Sequence, residues 1–559
     1  MPFFPHRLLR RIWWQPAAQD VGARGLKLPV ASQDESSGLQ PIPASTAVWL
    51  GLAFLGLGLA LRLARYLLDF PLWGDETMLA VNFLDRGYLD LALPLDNLQI
   101  SPLLFSWIEL SATKIFGFSA SSLRLFPVLC GLASLSAFWW LARRFCSGAA
   151  LVVAVAVFSV SYYLIRHATE IKPYSSDLCA SLLYLVLAVK VASSWRAKWW
   201  ALLGVLTPAL VMLSYPIVFV AGGVSLFLLA AAEDRTSKSF WLPWGLFNLA
   251  LVGTFLGNYW LIASAHYVRT YTQGVGAMWI EGWPPISRPG ELIVWAIREH
   301  TGRMFAYPIG GKNGGSAVTF VLFLLGVWRM WSWRDHRTYL VLLLSPFFLG
   351  FLAAAMQKYP YGGSARTMLY LAPSICLLAG IGGGWLLERI TCSMRKKRML
   401  VTAFGVLTVL GGINFARDLI RPYKTIEDQR LEAFAQWLWT DYGQDCELVC
   451  AGTDLGYSPY GKNWNEAAHD YRCWQRSYSA RHRARQAPDW DSVSPERPLK
   501  LVMYHVTQAE VDLARLQSML DELGRDYDLV GRETLPVNPH ADSVYARQYD
   551  IYTFTPKSR

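Results

Sequence analysis

Apolar runs long enough to cross a membrane recur along the first three quarters of the chain. A helix needs about 20 apolar residues to span a hydrocarbon core of about 30 Å. Nine such runs lie near residues 46–68, 125–141, 148–164, 175–192, 240–263, 316–333, 339–356, 367–387 and 399–415. Two more fit in 199–232, where Tyr215 and Pro216 divide a stretch too long for one helix. These eleven spans predict a polytopic α-helical membrane protein.

The positions of the charged residues indicate that the chain interacts with a lipid bilayer and not with nucleic acid. The net charge is +11, but the basic residues cluster in short segments between alternate apolar runs, as the positive-inside bias requires. The 25 tryptophans fit the same picture, because tryptophan is enriched at membrane interfaces. The basic segment 1–43 is predicted to be cytoplasmic without a cleaved signal peptide, which places the C-terminus outside the plasma (inner) membrane.

The chain divides into three parts by composition. Segment 1–43 precedes a transmembrane domain, 44–417, which includes a first outer loop at 69–124 and a long outer loop at 264–315. Amphipathic patterning in 69–124 predicts helices lying at the membrane surface. From 418 to 559 the charge rises, and CELVCAG, LKLVMYHV and YDIYTFTP read as strands between helical patterns, which predicts a small extracytoplasmic α/β domain.

Three cysteines fall in this C-terminal region, namely Cys446, Cys450 and Cys473. Outside the membrane a disulfide can persist, so one pair and one thiol are expected. Which two residues pair cannot be derived from the sequence.

The first candidate site is the acidic pair Asp75 and Glu76, which follows the first span within WGDE. One interpretation is structural: a solvated loop carboxylate, or an ion-pair partner for Arg62 and Arg65 at the end of that span. The other is a general base at a water-poor boundary, where desolvation raises the pKa of a carboxyl group toward useful values.

A second cluster lies at the outer junction of spans three and four and comprises Arg166, His167, Glu170, Lys172 and Tyr174. Glu170 and Lys172 could simply pair with each other. Lys172 is also a natural phosphate ligand.

A third cluster is YPYGGSARTMLY, residues 359–370. The glycines at 362 and 363 allow a close backbone approach, and Arg366 begins span ten beside Tyr359 and Tyr361. Arg366 could snorkel to the membrane surface, or it could bind a phosphate group together with the glycines.

The long outer loop suits a lid or an acceptor site, because long loops without a span often bind ligands. Its polar side chains include His266, Arg269, Tyr271, Arg298, His300, Arg303 and Lys312. The sequence implies no cofactor. A divalent metal stays open, with Glu76, Glu170 and His266 as the side chains that could ligate it.

Two features of the sequence limit the functions that the chain could have. No GxxxxGK[ST] motif is present, which argues against ATP-driven pumping, and the span interiors hold almost no acids of the kind that ion-coupled carriers use. The polar groups lie at the outer rim, where soluble nucleotide sugars are absent, so a sugar donor there should be lipid-linked.

The order of LWGDE, SPLL, SSLRLFPVLCGL and ATEIKPYSSDL, followed by YPYGGSARTMLYLAP, resembles the GT-C membrane glycosyltransferases. The similar branch is the bacterial one, related to protein O-mannosyltransferases, aminoarabinose transferases and Rgt-type lipopolysaccharide glycosyltransferases (glycosyltransferase family 39-like). The resemblance covers roughly residues 46–390 and implies a GT-C-like fold. It also implies an inverting transfer of a sugar from a polyprenyl-phosphate donor to an extracytoplasmic glycan, lipid or protein.

The resemblance assigns roles to particular residues. Asp75 would be the catalytic base, and Glu76 would orient Asp75 or the acceptor. Glu170, Lys172, Tyr174, Tyr361 and Arg366 would bind the donor, with Arg366 neutralising its phosphate. The family commonly reads EARPY where this chain has EIKPY, and Lys172 offers a point charge where Arg could bind in a bidentate manner.

Two other functions remain open on the sequence alone. A flippase or transporter of lipid-linked sugars would need charges lining a central cavity. A non-catalytic protein that uses the same fold as a scaffold would be indifferent to changes at Asp75.

Overall fold

The structure is a computed structural model that describes residues 43–70, 72–96, 99–232, 238–263, 280–310, 314–333, 336–389, 393–420, 445–452, 485–486, 497–506, 513–536 and 546–557. Its first part is helical. The helices are α1 (Ala44–Leu67), α2 (Gly74–Ala80), α3 (Asn82–Asp85), α4 (Leu103–Phe116), α5 (Ala120–Phe145), α6 (Gly148–Ser159), α7 (Tyr162–Arg166), α8 (Tyr174–Ser194), α9 (Ala197–Leu213), α10 (Ile217–Ala231), α11 (Lys238–Asn258), α12 (Pro289–Thr301), α13 (Gly315–Ser332), α14 (Arg337–Ala355), α15 (Ala372–Glu388) and α16 (Ser393–Ile420).

The predicted fold class, a multi-pass helical membrane protein with a small C-terminal α/β unit, is confirmed. Within the described residues, seven helices are long and apolar enough to cross a membrane, or eight if α6 and the bent segment after it form one span. Shorter apolar helices occupy Ala197–Leu213, Ile217–Ala231 and Val401–Ile413. Helices therefore lie wherever a span was predicted, while the number eleven stays a prediction.

The helix α15 is the centre of the bundle. The span that contains it, Arg366–Glu388, is 89% buried. Its glycines make this possible: a Cβ at Gly382 would overlap the Leu322 carbonyl of α13, and one at Gly384 would overlap Ala150 of α6. Small residues permit the close backbone approach on which helix association in membranes depends.

The third predicted span is broken in the structure. Helix α6 ends at Ser159, and the chain resumes at an angle of 50° in Tyr162–Thr169. Arg62 of α1 donates from Nη1 to the Ser159 carbonyl at 3.0 Å, which satisfies one of the acceptors that a helix end leaves open. The break turns the chain toward Glu170 and Lys172.

The C-terminal unit is a mixed five-stranded sheet with one described helix, α17 (Leu513–Leu523). Its strands are β1 (Glu447–Gly452), β2 (Arg485–Gln486), β3 (Leu499–Val506), β4 (Tyr527–Pro536) and β5 (Ala546–Pro556), in the order β2-β1-β3-β5-β4. Strands β1 and β3 are parallel, whereas β5 pairs antiparallel with both β3 and β4. One of the helical patterns predicted for this region, EAFAQWLWTDY at 432–442, lies outside the described residues. The side chains of Cys450 and Cys473 also lie outside them, as does any pairing of these cysteines with Cys446.

The sheet packs against the first loop of the helical part. On β3, Leu501 and Met503 face α17, while the intervening Val502 points the other way. Val502 and its cross-strand partner Ile551 belong to one apolar cluster with Leu72, which precedes α2. The C-terminal unit therefore contributes to the apolar cluster that includes residues of the loop carrying Asp75.

Candidate active site

Asp75 lies in the first turn of α2 and is the meeting point of three distant segments. Its Oδ1 accepts a hydrogen bond from Lys172 Nζ at 2.9 Å, and its Oδ2 accepts one from Arg366 Nη1 at 3.1 Å. The Asp75 side chain is 23% exposed and that of Arg366 24%, so both reach solvent. The structure thus brings together residues from the first, second and third clusters of the sequence.

The two cations are themselves held in place. Lys172 Nζ also donates to Gln99 Oε1 at 2.6 Å, and its side chain is only 8% exposed. The Arg366 guanidinium lies 5.8 Å from the centre of the Tyr174 ring, within range of a cation–π contact. In this arrangement the two cations can bind a phosphate group, and the carboxylate can accept a proton from a hydroxyl group.

Glu76 has a different environment from its neighbour. Its side chain is 1% exposed and forms a two-point ion pair with Arg124, at 3.2 Å from Nε and 2.8 Å from Nη2. Glu76 also accepts the backbone N–H of Ile171 at 2.9 Å and that of Trp73 at 3.3 Å. It therefore ties the start of α2 to α5 and to the segment that carries Lys172, and its oxygens face these partners.

Glu170 is likewise enclosed. Its oxygens bind Arg166 Nε and His167 Nδ1, each at 2.6 Å, and not Lys172 as one interpretation of the sequence had it. Burial alone would raise the pKa of Glu170, but the charges of Arg166 and His167 hold this pKa well below its ordinary value. Glu170 thus anchors the second cluster as a buried anion.

The glycine pair forms a turn clamped by α12 and the residues after it. Gly362 and Gly363 have φ values of 81° and 66°, which glycine adopts readily. The Gly363 N–H donates to Glu299 of α12, and Arg303 Nη1 donates to the Gly363 carbonyl at 2.8 Å. A Cβ at Gly362 would overlap the Glu299 carboxylate, so the turn requires glycine there.

Tyr361 and His300 belong to this clamp. Tyr361 is 3% exposed, and its hydroxyl lies 3.1 Å from His300 Nε2. Burial lowers the pKa of His300, which favours a neutral ring that donates through Nδ1 to the Ala296 carbonyl and accepts from Tyr361 through Nε2. The structure places both residues behind the glycine turn that leads to Arg366.

The remaining predicted residues of the long loop, His266, Arg269, Tyr271 and Lys312, lie outside the described residues. Within the described part of the chain, no three His, Cys, Asp or Glu side chains are grouped so as to hold a metal. The two described metal candidates, Glu76 and Glu170, are engaged by arginine.

Three residues of the site were not singled out in the sequence, namely Gln99, Arg124 and Glu299. Arg124 stands within SSLRLF, a quoted motif, but its pairing with Glu76 spans 48 residues and has no local signature. Gln99 accepts a hydrogen bond from Lys172, and Glu299 accepts one from the Gly363 amide and another from Arg298 Nε at 3.1 Å.

Residues 101–260 match the family model described as dolichyl-phosphate-mannose-protein mannosyltransferase. The predicted resemblance to membrane glycosyltransferases is confirmed. The matched segment includes Arg124 and Lys172, whereas Asp75 and Arg366 lie outside it.

Solved structures also resemble the chain. The crystal structure of ArnT from Cupriavidus metallidurans in the apo state is 11% identical, with a TM-score of 0.49, and the match covers 91% of this chain and 98% of that one. The same protein bound to undecaprenyl phosphate is 12% identical, with a TM-score of 0.49, and the match covers 91% of this chain and 97% of that one. No curated protein matches this chain.

Proposed function

We propose that this protein is an integral membrane glycosyltransferase that moves a sugar from a polyprenyl-phosphate donor to an extracytoplasmic glycan, lipid or protein. The observation that carries the proposal is the contact of Asp75 with both Lys172 and Arg366. The family that matches residues 101–260 is described as using a dolichyl-phosphate-linked mannose, which is a donor of this chemical class.

The charges of the site suit such a donor. A phosphate that enters the site competes with Asp75 for Lys172 and Arg366, because both cations bind phosphate as readily as carboxylate. When the phosphate takes over these contacts, the Asp75 carboxylate loses two partners and becomes a stronger base. Donor binding therefore prepares the base for the acceptor.

The proposed reaction is a single displacement. The acceptor oxygen attacks the anomeric carbon from the side opposite the phosphate, and the bond from that carbon to the phosphate oxygen breaks. Asp75 takes the proton from the acceptor hydroxyl, while the electron pair of the broken bond stays on the polyprenyl phosphate. Lys172 and Arg366 stabilise that developing charge, a contribution that is commonly the largest in such a transfer. The configuration at the anomeric carbon is inverted.

The buried acids Glu76 and Glu170 position the residues that carry out this chemistry. Glu76 fixes α2 and the Ile171 amide, so it sets the distance between Asp75 and Lys172. Glu170 holds Arg166 and His167 at the base of the same segment. We assign both as positioning residues.

The test compares the wild-type chain with Asp75→Asn and a matched control, Asp96→Asn. Asp96 lies in the same loop, and its carboxylate is also ion-paired, but to Arg86, at 2.9 Å. Membranes receive radiolabelled polyprenyl-phosphate sugars, and label transfer to outer-surface lipid, glycan and protein is followed. General-base catalysis is worth about 10²–10⁴ in rate, so Asp75→Asn should lose at least about a hundredfold.

The control should transfer sugar at the wild-type rate. Equal rates for Asp75→Asn and wild type would show that Asp75 is structural. A wild-type chain that transfers none of the sugars from a full panel would contradict the proposed function itself.

A further inference from the structure

Asp177 is a buried acid in α8 that the proposed reaction does not use. It is 4% exposed, and its Oδ1 has no hydrogen-bond partner among the described residues. Leaving a buried polar group unsatisfied costs about 1–3 kcal/mol, and more for a charged group. Native proteins retain such groups mainly where something else supplies the partner.

Two further polar atoms near Asp177 are also unsatisfied within the described part of the chain. Ser214, in the turn between α9 and α10, is fully buried, and its hydroxyl lies close enough to interact with the Asp177 carboxyl. Neither Ser214 Oγ nor the Tyr370 hydroxyl completes a hydrogen bond of ordinary geometry. Asp177 and Ser214 thus bring unused polar atoms together from two segments of the chain.

Aromatic rings surround this region. The Phe219 ring lies 5.5 Å from that of Tyr359 and 5.8 Å from that of Tyr370, and the two tyrosine rings are 6.4 Å apart. Burial raises the pKa of Tyr359 well above its ordinary value, and the negative charge of Asp177 adds to this rise. The acid therefore lies close enough to Tyr359 for the two groups to interact electrostatically. A few polar groups among aromatic walls are typical of small-molecule sites.

The region adjoins the phosphate-binding cations. Tyr174 and Asp177 are three residues apart on α8, so they lie on the same face of the helix. The Tyr174 ring faces Arg366, and Arg366 binds Asp75. Asp177 therefore lies within about one helical turn of the residue whose ring contacts Arg366.

We propose that Asp177 and Ser214 form the subsite that hydrogen-bonds hydroxyl groups of the transferred sugar, with Phe219 and Tyr359 packing on its ring. This inference rests on the proposed function. A sugar ring carries C–H groups that pack on aromatic faces, and hydroxyl groups that donate to a carboxylate. A site that hydrogen-bonds a substrate hydroxyl rejects analogues without it strongly, because its own polar groups are then left unpaired.

The experiment uses Asp177→Asn, which keeps the shape of the side chain, and Ser175→Ala as the control. Ser175 lies on the same helix, and its hydroxyl bonds to the Pro127 carbonyl instead. For each variant, transfer is measured with undecaprenyl-phosphate sugars, and binding is measured with undecaprenyl phosphate that carries no sugar. The panel includes monodeoxy forms of whichever sugar the wild type transfers.

We expect Asp177→Asn to lose about ten- to a hundredfold in kcat/KM for the sugar donor, as removal of a hydrogen bond to a charged group predicts. Binding of undecaprenyl phosphate should stay within about twofold of wild type, since the phosphate contacts are elsewhere. One monodeoxy donor should be transferred equally by Asp177→Asn and wild type, because it lacks the hydroxyl in question.

Three outcomes would overturn the inference, and they are distinguishable. If wild type transfers sugar and Asp177→Asn matches it, the subsite is wrong while the function stands. If Asp177→Asn also loses binding of undecaprenyl phosphate, Asp177 is a structural residue. If wild type transfers none of the sugars, the proposed function fails, and the subsite fails with it.

Discussion

At the scale of single residues, Asp75 and Glu76 show how adjacent carboxylates can acquire separate tasks. Asp75 is partly exposed and is shared by two cations, of which Arg366 is also partly exposed whereas Lys172 is buried. Glu76 is enclosed and bound by Arg124 and two backbone amides. The difference follows from helix geometry, since neighbouring residues point about 100° apart around the helix axis.

The Glu76–Arg124 pair gives a prediction for stability. Glu76→Gln leaves the Arg124 charge buried without compensation, so it should lower the free energy of unfolding by about 3–5 kcal/mol. Arg124→Met should lower the free energy of unfolding by a similar amount, because it leaves the buried Glu76 charge without its ion-pair partner. The double variant Glu76→Met, Arg124→Met removes both charges and should be more stable than either single variant. Denaturant unfolding in detergent measures all three, and a double variant as unstable as the sum of the singles would contradict the prediction.

At the scale of elements, the glycine turn links α12 to Arg366. Glu299, His300 and Arg303 hold Gly363 and Tyr361, and Arg366 follows three residues later. The chain contains a matched control for this turn, because Gly117 has the same φ of 81° as Gly362 but nothing within 4 Å of its Cβ position.

Gly362→Ala and Gly117→Ala should therefore differ in activity. Both variants incur the cost of a left-handed L-residue, roughly 1–2 kcal/mol. Only Gly362→Ala also pushes against Glu299 and displaces the turn before Arg366. A displacement of about 1 Å at a reacting group can cost about a hundredfold in rate. Sugar transfer should thus fall by about that factor in Gly362→Ala and stay near wild type in Gly117→Ala; equal losses would show that the turn does not position Arg366.

Most elements could be predicted from the sequence because their signal is local. Each apolar run became helix, and β1, β3 and β5 lie where apolar strand patterns stand. Strand β4 was missed, because Gly531, Arg532 and Glu533 interrupt its alternation and a register shift between Leu529 and Gly531 breaks its pairing. The candidate site follows the same rule. Local motifs indicated Asp75, Lys172 and Arg366. The partners of Glu76, Glu170 and Gly363 could not be predicted, because they come close only in the folded chain.

At the scale of the whole molecule, the sheet and the helical part share an apolar interface beside the site. Val502 is fully buried in that interface, whereas Val530 of the same sheet is 58% exposed. Val502→Ser should loosen the contact, because it buries a hydroxyl beside Ile551 in an apolar cluster. Val530→Ser should have little effect.

Limited proteolysis of the two variants in membranes tests this prediction. We expect faster cleavage of the C-terminal region and slower sugar transfer in Val502→Ser, with both properties unchanged in Val530→Ser. Rapid cleavage together with wild-type transfer would mean that the sheet does not support the loop that carries Asp75.

The same interface has a consequence for how the chain is made. Leu72 leaves the ribosome early, whereas Ile551 follows only after every helix of the bundle has been synthesised. Contacts between such distant segments form late, because a long loop must close before they contribute. A nascent chain that has not yet reached β5 already contains Asp75, Lys172 and Arg366, yet the apolar cluster that includes Leu72 still lacks Ile551. The apolar cluster beside the site can therefore form completely only after the last strand has been translated.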